Sequence, residues 1–153
     1  MESQFAGEKS KLVSQFLTPL WLEHVDGNVW IVCADFKYYS AMFSGIFVVP
    51  IGTETDLASI PWVFRRILPK SGKYNPAAVL HDTGYHGKLL TQDGMRINLI
   101  KKYCDLLFLE AMEVAGVGDK IKTIMYEMVK SFGKQKVQIY NRLTPDELYR
   151  KDK

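Results

Sequence analysis

Cysteine is scarce in this chain: Cys33 and Cys104 both sit in apolar surroundings, and neither has metal-ligand spacing with the other or with a histidine. That argues against a zinc site or a redox pair, and both read as buried free thiols. Long hydrophobic runs are missing too, since the longest, Ala41 to Ile51, is broken by Ser44, Gly45 and Pro50. No transmembrane segment is expected from it. The stretch Met1 to Lys11 is polar, without the apolar segment of a signal peptide, so a soluble, initially cytoplasmic product is the expectation. Positive charge is not gathered in one block. Arg65-Arg66, Lys101-Lys102 and Lys134 with Lys136 are scattered, and a net charge of +3 gives no strong nucleic-acid signal. The glycine spacing of a phosphate loop is absent around Gly72, as is a serine nucleophile elbow.

What is present is an ordinary globular balance, 47% hydrophobic and 24% charged over 153 residues, which fits one domain spanning 1–153. Residues 20–50 favour strands. Leu20 to Val25 and Val29 to Cys33 flank the turn sequence Asp26-Gly27-Asn28, and Phe36 to Tyr39 and Phe47 to Pro50 add further strands to a small antiparallel sheet. Helical periodicity takes over in 59–132. A short helix is expected after Pro61, ending near Pro69, with Ser59 as its cap. Asn75-Pro76 opens a helix running to about Leu90. A second runs from about Gly94 to Val114, stopped by Gly116 and Gly118, and a third runs from Asp119 to Phe132 with Ile121, Ile124, Met125, Met128 and Val129 on one stripe. The tail 133–153 reads as peripheral, with a capping-box sequence at Thr144 to Glu147. The fold class is therefore α+β, a small antiparallel N-terminal sheet followed by a three-helix C-terminal part.

The chemistry concentrates in two places. On a helix His81 and Tyr85 share a face, while Asp82 points about a hundred degrees away. Asp105 interrupts the apolar run Tyr103 to Phe108, and a buried acid costs several kcal/mol unless it is paired. If the helices of His81 and Asp105 pack antiparallel, Asp105 reaches one imidazole nitrogen and the other is left to take a proton from water. Asp82 would then hold a cation or a second water. The same residues are equally compatible with a purely structural hydrogen-bonded network. The second place is the junction of sheet and helices, where Thr55, Asp56 and Ser59 form either a binding loop or a turn-and-cap device.

The order Thr55-Asp56-Leu57-Ala58-Ser59-Ile60-Pro61, then Ala77-Ala78-Val79-Leu80-His81-Asp82 with Tyr85, then Asp105, resembles a family of small uncharacterised proteins of tailed bacteriophages and prophages. That resemblance implies a phage setting: the host cytoplasm or the virion, with virion proteins or a host envelope component as partners. A narrower stretch, His81, Asp82, Tyr85 and Asp105, is similar to the calcium-dependent phospholipases that cleave the sn-2 ester. By that similarity His81 is the general base, Asp105 its orienter with Tyr85 in support, and Asp82 a ligand of a divalent cation such as calcium. The glycine-rich calcium loop and the disulfides of those enzymes have no counterpart here. Two functional expectations follow, a His/Asp hydrolase acting on an ester or other envelope bond and a noncatalytic virion or host-interaction protein. In the second, Trp21, Trp30, Tyr38 and Tyr39 would form an anchor surface.

Overall fold

The computed structural model describes residues 12–27, 29–57 and 72–132. The chain runs through β1 (Gln15–Phe16), β2 (Leu22–Asp26), β3 (Val29–Val32), β4 (Phe36–Ser40), β5 (Gly45–Val49) and β6 (Glu54–Thr55), then α1 (Asn75–Tyr85), α2 (Lys101–Val114) and α3 (Asp119–Phe132). This is an α+β architecture. The expected helix after Pro61, its cap Ser59 and the Thr144 segment lie outside the described residues.

The strands form two antiparallel sheets, ordered β1-β4-β5 and β2-β3-β6, where the sequence predicts one. β2 and β3 make the hairpin expected around Gly27, whose φ of 51° is of the kind such a turn needs. β6 then adds to β3 by pairing Trp30 with Thr55 and Ile31 with Glu54. β4 and β5 lie alongside one another from Phe36↔Val49 to Ser40↔Gly45. Their inward residues Phe36, Tyr38, Phe47 and Val49 join one apolar cluster with Ala77, Ala78 and Leu80 of α1, Leu107, Phe108 and Met112 of α2, and Met125 and Val129 of α3.

Two helix boundaries differ from the sequence expectation, for a long-range reason. α1 stops at Tyr85, before Leu90, because Gly87 turns left-handed with φ 64°. The Gly87 and Lys88 amides return to the carbonyls of Gly84 and Thr83, closing a Schellman cap. Leu90 is thereby released to bridge Val48 of β5, with N···O distances of 2.8 and 2.9 Å in the two directions. Gly94, at φ 83°, belongs to the turn that follows, so α2 begins at Lys101 instead. α1 also starts without a side-chain cap: a 3-10 turn at Gly72–Tyr74 leads into it, with Pro76 in the first turn and Asn75 inside the helix. α3 has the expected bounds, with Met125, Met128 and Val129 buried.

Two side-chain expectations are corrected. Cys33 is exposed, just past the end of β3 whose last residue Val32 is buried; Cys104 is buried. Tyr38 is fully buried and donates its hydroxyl to Glu110 Oε1 at 2.8 Å, so it belongs to the core, while Trp21 remains exposed. Among the described residues no helix is long and apolar enough to cross a membrane.

Candidate functional site

The site is built where α1 packs against α2. Gly84 makes this approach possible: a Cβ placed there would lie 3.1 Å from Cys104 Sγ and 3.3 Å from Leu89 Cδ1. The small residues Ala77 and Ala78 are buried on the same helix. His81 meets the Phe108 ring, with 4.8 Å between centroids, whereas Gly84 faces Cys104. The helices thus run in opposite senses, and Asp105 comes level with His81 and Tyr85.

Asp105 is only 2% exposed and accepts hydrogen bonds on both oxygens. His81 Nε2 donates to Oδ1 at 2.8 Å, and the Tyr85 hydroxyl donates to the same oxygen. Lys101 Nζ, one turn earlier on α2, donates to Oδ2 at 2.7 Å. Burial by itself would raise the Asp105 pKa, but the donors His81, Lys101 and Tyr85 outweigh it and hold the carboxyl below the usual carboxylate range. Tyr85 is pushed the other way, first by burial and then by its bond to Asp105, so its hydroxyl keeps its proton and donates.

His81, 1% exposed, has its pKa lowered, chiefly by burial, against the opposing pull of Asp105. Burial outweighs the combined pull of the Asp105 and Asp82 carboxylates, and the Lys101 ammonium adds a smaller opposition to a proton on the ring. The imidazole is therefore neutral, with the proton on Nε2 and a lone pair on Nδ1. That lone pair is buried and has no hydrogen-bond partner among the described residues. A buried polar atom left in this way costs about 1–3 kcal/mol and calls for an explanation.

The other expected site residues are placed less tightly. Asp82 Oδ1 lies 3.4 Å from Nδ1 of His86, one turn on. Thr55 is buried and accepts the Leu57 amide at 3.2 Å, with Leu57 in the left-handed region at φ 55°. β6, which carries Thr55, packs against α1, and Asp56 next to it is exposed. Ser59 lies outside the described residues. Among the described residues no group of three His, Cys, Asp or Glu side chains is arranged to hold a metal ion. Calcium takes six to eight oxygen ligands. A surface cleft of about 360 Å³ is lined by residues including Tyr39, Ile46, Thr91 and Asp93, not by His81.

Lys101 is the member of the cluster that the sequence reading passed over. The signal was present, since Lys101 and Asp105 are spaced i,i+4, the separation at which helical side chains meet.

A neutral buried histidine held by a carboxylate from the neighbouring helix, on an α+β frame, is the class of site that fold and geometry define. The family described as protein of unknown function DUF1353 matches residues 30–129, and the chain belongs to it. That match covers His81, Tyr85, Lys101 and Asp105. No curated protein and no solved structure matches the chain.

Proposed function

We propose that the protein is a hydrolase of His/Asp type, acting in a phage setting on an ester or another bond of the host envelope, with Thr55 of β6 on the border of the site. The observation that carries this reading is His81 Nδ1, buried and without a hydrogen-bond partner among the described residues, while Nε2 is committed to Asp105. In the reaction Nδ1 takes a proton from water as the water oxygen adds to the ester carbonyl. Asp105, fixed by Tyr85, stabilises the imidazolium that forms. Collapse of the tetrahedral intermediate breaks the bond to the leaving oxygen, which receives the proton from Nδ1, and the imidazole is neutral again.

The test is release of fatty acid from vesicles of phosphatidylethanolamine and phosphatidylglycerol by the wild-type chain, His81→Gln and Asp105→Asn. Wild-type turnover is expected to fall by about 10²–10⁴-fold in either variant, the range general-base catalysis contributes, with the circular dichroism spectrum unchanged. Turnover that persists in a folded His81→Gln protein sinks the assignment.

One observation favours a second reading, a noncatalytic virion or host-interaction protein whose polar network is structural. His81 and Asp105 are 1% and 2% exposed, and Lys101 ties them to α3. Under that reading the wild-type chain hydrolyses nothing, both variants lose stability, and the protein is found in stoichiometric amount in purified particles.

A further inference from the structure

The Lys101 ammonium makes three hydrogen bonds, one for each of its protons: to Asp105 Oδ2 at 2.7 Å, to the Val129 carbonyl at 3.0 Å and to the Lys130 carbonyl at 2.9 Å. Val129 and Lys130 lie in the last turn of α3, where the helix dipole favours a cation. Its side chain is 31% exposed, so the ammonium joins a buried carboxylate to a helix end near the surface.

We propose that Lys101 is a positioning residue for the His81–Asp105 pair: it commits Oδ2 of Asp105, leaves Oδ1 for His81 and Tyr85, and makes that orientation depend on the last turn of α3. The two oxygens of a carboxylate are equivalent, but its plane can turn about the Cβ–Cγ bond. With one oxygen held by Lys101 from the side of α3 and the other taken by His81 Nε2 and the Tyr85 hydroxyl, one setting of that plane satisfies all three donors. The ammonium charge also opposes a proton on His81, a smaller effect than burial of the ring. α3 thereby acts on the pair through Lys101, since its backbone carbonyls set where Nζ lies.

The catalytic meaning of this role rests on the hydrolase reading, but the experiment needs no turnover. The proton resonance of His81 Nε2–H is followed by NMR in the wild type, Lys101→Met and Lys101→Arg, beside the melting temperature. In the wild type this proton is expected far downfield and in slow exchange, as one donated to a buried carboxylate is. In Lys101→Met it is expected to shift upfield or broaden away while the protein stays folded, and in Lys101→Arg to recover at least in part. A Lys101→Met protein that melts lower but keeps the resonance unchanged overturns the proposal, because a stitch between α2 and α3 alone would behave that way. Should Lys101→Met not fold, the wild-type ammonium decides. Its proton–nitrogen signal is expected to be protected from solvent exchange and to lose that protection in Asp105→Asn; a signal like that of surface lysines overturns the proposal. If the resonance moves as expected and no ester is cleaved, the positioning role stands and the hydrolase reading fails.

Discussion

Because His81 is held neutral inside the fold, the unfolded chain binds a proton near pH 6 that the folded chain refuses. The folded pKa lies below the ordinary 6.5, so the stabilisation is fully present above that value and is lost as the pH falls through it toward the folded pKa. Asp105 is also depressed, and its contribution is lost only at lower pH, below about 4. Urea unfolding of the wild type is therefore expected to weaken from pH 6.5 downward by up to about 1.4 kcal/mol per pH unit for His81. In His81→Gln that part of the slope is expected to vanish while the Asp105 part remains. At the same scale, Tyr85→Phe removes a donor to a buried carboxylate, and a loss of about 1.5–3 kcal/mol is expected in the same assay. These residues were legible in the sequence because an acid inside an apolar helical run demands a partner, and His81 with Tyr85 at i,i+4 offered two donors on one face. Lys101 stood at the same spacing from Asp105, but its neighbour Lys102 made the pair look like ordinary surface charge.

Gly84 sets the distance between α1 and α2. Gly84→Val is expected to cost about 1–3 kcal/mol by overpacking against Cys104 and Leu89, and to weaken the His81 Nε2–H resonance as the helices part. Cys104→Ala opens space opposite, so the double variant is expected to recover part of the loss, a coupling that a double-mutant cycle by chemical denaturation measures. The readability of the elements followed how local their causes are. α3 was legible to the residue because its apolar stripe, the stop before it and its start all lie within the segment. The end of α1 was not, since its residues continue a helical pattern to Leu90 while Leu90 pairs with Val48 more than forty residues back in the chain. β1 and β6, each two residues long, carry no periodicity of their own and exist by pairing with β4 and β3. The single expected sheet is two because β3 and β4, consecutive in the chain, belong to different sheets.

Across the whole molecule, Glu110 of α2 joins the helices to the strands. It accepts the Tyr38 hydroxyl from β4 at 2.8 Å and the Met42 amide at 3.1 Å. Burial, then Glu110, raise the Tyr38 pKa, so this tyrosine stays a donor throughout the ordinary pH range. Tyr38→Phe leaves the Glu110 oxygen short of a partner. It is expected to lower stability by about 1–3 kcal/mol, with the fluorescence and circular dichroism transitions still coincident, because strands and helices share one apolar cluster. Separate transitions would show that the two halves unfold independently. The cluster's apolar members were legible from composition and alternation. Tyr38 as a core donor was not, because its partner Glu110 lies 72 residues away.

The central claim is that Nδ1 of His81 is an unprotonated base while Nε2 donates to Asp105. Nitrogen NMR of the histidine-labelled wild-type protein at pH 7 tests it most directly. The account predicts a protonated Nε2 coupled to its hydrogen and a bare Nδ1 with the shift of an unprotonated ring nitrogen. A proton on Nδ1, in either the other tautomer or the imidazolium, would contradict it.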